Sequence, residues 1–156
     1  MTKIKLDDID RKIIGELQRN CRLTSQELAD RVGLSASPCA RRVRILEENG
    51  AIKGYVGVID QAKVGLPVNV FASVKLERQR EEELDTFSHA IAQWPEVADC
   101  YLMTGQRDYL LRIVVRDLEA YERFLKEKLT RLTCIASIES SFALGEVKRS
   151  YVSRTE

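Results

Sequence analysis

The chain has 156 residues, 44% of them hydrophobic and 31% charged, with a formal net charge of +1. That length allows one domain or two small ones, and that charge excludes a polycation, so any nucleic-acid contact has to rest on a local basic face. The opening MTKIKLDDID is too charged for a signal peptide and no apolar run approaches a membrane span, so the expected setting is the cytoplasm, with no membrane partner.

The first predicted element is a helix over 6–20. Ile9, Ile13, Ile14 and Leu17 mark its buried stripe, and Asp7, Asp8 and Asp10 suit the positive end of its dipole. The stretch TSQELADRVGLSASPCARRVRILEENG, residues 24–50, then reads as two short helices around a tight break. Thr24 or Ser25 caps the first, Glu27 completes a capping box with Thr24, and Leu28, Ala29 and Val32 face inward. Gly33 ends it through positive φ, which costs glycine nothing sterically. Ser37 is the expected cap of the second, with Pro38 in its first turn. Cys39, Val43 and Leu46 fall on its inward stripe. At 100° per residue the opposite side carries Ser37, Pro38, Arg41, Arg44 and Ile45, with Arg42 on the flank and no acid before Glu47. A narrow cationic face on such a helix suits the major groove of double-stranded DNA; a solvated face of an ordinary helical bundle is the alternative. The core of the three-helix unit is expected to be Ile9, Ile13, Leu17, Leu23, Leu28, Val32, Leu34, Val43 and Leu46.

Residues 51–59, AIKGYVGVI, are predicted to form a linking strand, and 60–67 a linker. From Val68 the hydrophobic period becomes two. Strands are expected over 69–76, 97–104, 108–115 and 135–147, the last bulged near Ser140 and Ser141. Helices are expected over 81–94 and 118–132, with Gly105, Gln106 and Arg107 as the turn between the second and third strands. The order βαββαβ predicts an α+β ferredoxin-like domain over 68–156, behind a helix-turn-helix domain over 1–59. One sheet face is then left open, which favours a homodimer. The four cysteines lack paired short spacings and the chain has one histidine, so free thiols and no metal site are expected.

The stretches LDDIDRKIIGELQRN, LTSQELADRVGLSASPCARRVRILEENGAIKGY, YLMTGQRDYLLRIVVRD and ALGEVK together resemble the leucine-responsive regulatory protein / AsnC family of transcription regulators, across nearly the whole chain. The resemblance implies an N-terminal (winged) helix-turn-helix, a linking strand and a C-terminal ligand-sensing domain. It also implies dimers pairing through the sheet and often assembled into octamers, and an amino-acid effector. It puts DNA contact on Ser35, Ser37, Pro38, Arg41 and Arg42, joining Arg44 from the outward face. It puts the effector pocket between sensing domains, beside Thr104, Gly105, Gln106, Arg107, Asp108 and Tyr109. The family's last strand often supplies two threonines two residues apart; here those positions are Ile138 and Ser140. Ile45 is a second departure, standing where the family usually has a basic residue.

Asp108 has two readings: a turn residue hydrogen-bonding its own loop, or the partner of a ligand ammonium whose carboxylate meets N–H groups around Gly105. His89 lacks a carboxylate or cysteine at catalytic spacing and is expected at or near the surface. Trp94 is expected in the core or an interface, Cys39 as a small buried hydrophobe, and 78–83 as a solvated helix start. The leading function is an effector-responsive DNA-binding regulator with no cofactor and no catalytic residues. An enzyme on the same scaffold, like the tetrapyrrole decarboxylases, would want several histidine or polar side chains in its cavity; a sensor that had lost DNA binding would not keep an acid-free Arg41, Arg42, Arg44 face.

Overall fold

The computed structural model describes residues 5–150, which fall into two compact units, one over 5–58 with 147–150 and the other Ile59–Glu146. The first contains α1 (Asp8–Arg19), α2 (Ser25–Val32) and α3 (Ala36–Glu48). Asp7 caps α1 in a reciprocal box with Asp10, and Thr24 caps α2 in the same way with Glu27. Gly33 leaves α2 at φ 78°, as the break requires. Ile13, Ile14, Leu28, Ala29, Val32, Cys39 and Leu46 are buried together, with Ile9, Leu17, Leu23, Leu34 and Val43 packed around them.

The second unit runs β1 (Val68–Leu76), α4 (Glu81–Ala92), β2 (Val97–Leu102), β3 (Tyr109–Val115), α5 (Leu118–Glu127), a 3-10 turn (Leu129–Arg131) and β4 (Ile135–Phe142). Its strands lie in the order β2-β3-β1-β4 and every pairing is antiparallel. This is the ferredoxin-like arrangement that βαββαβ predicts. Alternate residues Val70, Ala72, Val74 and Leu76 of β1, with Leu111 and Ile113 of β3, pack against Phe87 and Ile91 of α4 and Tyr121 and Phe124 of α5. The helices thus cover one face only. On the other, Phe71 and Tyr101 are exposed beside Arg112, whose guanidinium bonds Asp99 and Asn69.

Four expectations are corrected. The linking strand expected over 51–59 does not form: Val56, Val58 and Ile59 are 62–80% exposed, because β-propensity without a neighbouring strand supplies no ladder. No wing strands follow α3 among the described residues. The last helix stops at Glu127, where the Thr130 hydroxyl donates to the freed carbonyl of Leu125 at 2.8 Å. The last strand ends at Phe142, and its irregularity lies not at Ser140 and Ser141 but where Lys75–Ser137 is followed by Leu76–Ile135, leaving Ala136 as the extra residue.

Candidate functional site

Ser35, not Ser37, is the N-cap residue of α3, and it caps through its backbone only: the Cys39 N–H reaches the Ser35 carbonyl at 3.2 Å and no side-chain bond is made. Ser37 and Pro38 lie inside the first turn, where a proline displaces no helical hydrogen bond. Ser35, Ser37, Pro38, Arg41, Arg44 and Ile45 are all exposed, while Cys39 and Leu46 are fully buried on the opposite stripe. The three arginines differ. Arg41 has no ion-pair partner among the described residues, and Arg44 makes a solvent-exposed i,i+4 pair with Glu48 at 3.2 Å. Arg42 turns away from that face: its Nη1 lies 2.7 Å from both Asp7 Oδ2 and Asp10 Oδ1. The Asp10 N–H, first, and the Arg42 guanidinium hold the Asp7 carboxyl below the usual carboxylate range.

In the second unit, residues 103–108 join β2 to β3, closed by the Met103 N–H on the Asp108 carbonyl at 2.8 Å, with Gly105 at φ 110°. The Asp108 carboxylate, unlike its backbone carbonyl, does not serve its own loop. The residue is 5% exposed, and its Oδ2 accepts the Leu76 N–H at 2.7 Å while Oδ1 accepts Gln79 Nε2. The last β1–β3 pair is Val74–Tyr109, so this carboxylate satisfies a β1 donor just past the end of the ladder. Tyr109 is buried as well, its ring 4.3 Å from that of Phe87. Arg107 reaches across to β4, bonding Ser137 Oγ at 2.8 Å and Glu139 Oε2 at 2.7 Å.

Ser140 shares a hydrogen bond with the Tyr121 hydroxyl on the helix-covered side of β4. Ile138, two residues before it, packs against the core. Tyr109 and Ser140 sit on strands separated by β1, about 10 Å apart at ordinary strand spacing. Thr104 and Gly105 stand exposed at the hairpin tip. One chain therefore brings Asp108 and Tyr109 beneath the turn but does not gather the five expected effector residues around one cavity. Sequence reasoning missed Gln79, Tyr121 and the Asp7–Asp10–Arg42 cluster, whose partners are 19 to 35 residues apart and leave no local pattern. His89 is exposed in the last turn of α4, and Trp94 packs edge-on to Phe124. Among the described residues, no group of three His, Cys, Asp or Glu side chains is placed to hold a metal ion, and no helix is long and apolar enough to cross a membrane.

A helix-turn-helix with a free cationic face, followed by a ferredoxin-like unit with an open sheet face, defines a two-part DNA-binding regulator. Residues 6–53 match the winged helix-turn-helix DNA-binding family, and residues 69–153 match the Lrp/AsnC ligand binding domain. The chain belongs to the Lrp/AsnC family of transcription regulators. It is 45% identical over 143 residues to the Bkd operon transcriptional regulator of Pseudomonas aeruginosa, covering 92% of this chain and 94% of that one. It is 37% identical to the leucine-responsive regulatory protein of Rhizobium meliloti, covering 95% of each. Among solved structures, a transcriptional regulator of Neisseria meningitidis in complex with L-Met superposes with a TM-score of 0.88 at 36% identity, covering 94% of each chain.

Proposed function

We propose that this regulator reads its operator with Ser35 at the N-cap and Ser37, Pro38, Arg41 and Arg44 of α3, Arg42 being turned from that face toward α1, and that a small amino acid modulates this binding. The effector docks beside the 103–108 hairpin, at a boundary between subunits. There Thr104 and the backbone of Gly105 supply surface contacts and Asp108 and Tyr109 hold the turn from below, while Ser140, exposed on β4 beyond β1, offers a hydroxyl only across that boundary. The observation that carries the first part is the exposed Arg41, without an ion-pair partner among the described residues, on a helix that has no acid before Glu47. The second part is supported by the hairpin's exposed tip, and by the Neisseria relative having been solved with L-Met. The open sheet face, with Phe71 and Tyr101, pairs two copies into a homodimer, and dimers assemble to an octamer in the cytoplasm. The protein acts by binding alone, without catalysis; its relatives bear the names of regulators.

An effector can act only by binding one assembly or domain arrangement better than another. A coupling of about 1–3 kcal/mol changes operator affinity roughly 5–150-fold. The test is a thermal-shift screen of the twenty amino acids, followed by operator titration with the strongest hit. A true effector at a hundred times its Kd stabilises by about 2.7 kcal/mol. A screen without any hit, or a hit that leaves operator affinity unchanged, overturns the proposed control.

A further inference from the structure

We infer that Arg42 is a positioning residue: it serves DNA binding through Asp7 and Asp10 of the α1 cap, by fixing the rotation of α3, and not through a contact with DNA. The inference deepens the DNA-binding reading of α3 and rests on it. Three observations carry it. The first is direction: one guanidinium nitrogen lies 2.7 Å from a carboxylate oxygen of each aspartate, and the Arg42 side chain is 31% exposed against 74% for Arg44.

The second is charge. Asp7 and Asp10 each accept the other's backbone N–H, at 2.8 and 3.2 Å, which brings two carboxylates together at the start of α1. One arginine is thus held by two carboxylates, which neutralise its charge, so a phosphate arriving there would have to displace existing partners. The third is geometry. Arg42 is the next residue after Arg41, and an α-helix turns 100° per residue. Whatever fixes Arg42 against α1 therefore fixes the direction in which Arg41 leaves the domain. A second tie, Arg31 to Glu16 at 3.0 Å, binds α2 to the same helix, so α1 is the element against which both helices of the motif are set.

The experiment measures affinity for an operator selected from a random-sequence duplex pool, affinity for random duplex, and the salt dependence of each. The proteins are wild type, R42M, R42K and the double variant D7N/D10N, each checked for folding by circular dichroism. Wild type that selects no operator would defeat the DNA-binding reading before any variant is compared. Given an operator, R42M and D7N/D10N are each expected to lose specific affinity by about tenfold, within the range of a lost base contact. Both should keep the salt slope of wild type, R42M with its random-duplex affinity and D7N/D10N with a random-duplex affinity at least as high. The double variant is the decisive arm, because removing two negative charges should by electrostatics alone tighten DNA binding. R42K keeps the charge but not the planar fork that spans two carboxylates, so it is expected to fall short of wild type. A salt slope reduced by about one for each subunit's lost contact in R42M, with D7N/D10N binding at least as well as wild type, would make Arg42 a phosphate contact and overturn the inference. Wild-type operator affinity in all variants would overturn it as well. If R42M does not fold, R42K against D7N/D10N gives the same comparison.

Discussion

In the first unit the side chains proposed to meet the ligand stand in solvent: Ser37, Pro38, Arg41 and Arg44 are exposed on one side of α3, and Cys39 and Leu46 are buried on the other. In the second unit the arrangement is inverted. Asp108 and Tyr109 are each 5% exposed, and both oxygens of Asp108 are already engaged. A helix face is a local object, set by a period of 3.6 residues, and DNA is large enough to come to it. A pocket for a small molecule needs walls from several elements, and its walls are themselves core. Side chains at the recognition face can thus be altered with little effect on folding, whereas those under the hairpin cannot.

The largest effect that tests this contrast is ionic. Arg41 at the base edges and Arg44 at a phosphate bring two cationic charges per subunit into the groove, and the N-terminal end of α3 adds about one more contact, so about two or three phosphate charges are offset per subunit. A dimer then neutralises about four to six, giving a slope of log affinity on log salt of roughly −4 to −5. Operator affinity should fall by a factor of roughly 250 to 1,000 between 50 and 200 mM salt. Arg41→Ala should cost about 1–3 kcal/mol on the specific site and relax one position of each half-site, while Arg44→Ala weakens all sequences alike. Neither should move the melting temperature appreciably. A near-zero slope, or an Arg41→Ala variant that weakens operator and random duplex equally, would break the picture of a free reading face.

On the other side of the contrast, Asp108→Ala should destabilise the second unit. It leaves the Leu76 N–H without its acceptor, a cost of about 1–3 kcal/mol for a buried donor. Asp108→Asn keeps an acceptor and should cost less. Chemical denaturation followed by Trp94 fluorescence reads this unit, since Trp94 is the chain's one tryptophan and packs on Phe124. Operator affinity without effector should survive, because α3 belongs to the other unit. Unchanged stability in Asp108→Ala would mean that the carboxylate is held for a ligand and not for β1.

How much of this was legible in the sequence follows from the reach of each cause. The capping box at Thr24, the break at Gly33 and the alternation Val70, Ala72, Val74, Leu76 are each fixed within a few residues, and the expected βαββαβ order stands in the sheet order. Capping of α3 at Ser35 was not legible, since Ser35 and Ser37 both precede or enter the first turn and no side-chain bond distinguishes them. The linking strand failed because Val56, Val58 and Ile59 have the composition of a strand but no partner in this chain. For the candidate site, the outward face of α3 could be read from periodicity alone, but the engagement of Arg42 by Asp7 and Asp10 joins residues 35 and 32 positions apart. Likewise the burial of Asp108 depends on where β3 stops beside β1, which is a matter of register.

The smallest effect concerns a contact of the first unit that titrates. The Tyr55 hydroxyl donates to Glu47 Oε1 of α3 at 2.8 Å. Burial first, and then this bond to a carboxylate, push the phenol up to about 12 from its ordinary value of 10. Above pH 10 the unfolded chain loses this proton while the folded chain keeps it until about pH 12. Unfolding is then favoured by rising pH, so the contribution of Tyr55 is complete below pH 10 and is lost as pH rises through about 12. Tyr55→Phe removes that slope, and at neutral pH it removes one half-exposed hydrogen bond worth about 0.5 kcal/mol. Tyrosinate absorbance, titrated in wild type and variant, should show the variant short of one proton titrating near pH 12. Burial also raises Tyr121 of the second unit, though its bond to Ser140 pulls the other way, so some alkaline loss of stability remains in the variant. If the proton that Tyr55→Phe removes titrates near pH 10 and not near 12, the phenol does not hold Glu47 in solution, and the C-terminal end of α3 is secured without it, by Leu46 packing and the Ile52 N–H on the Leu46 carbonyl at 2.9 Å.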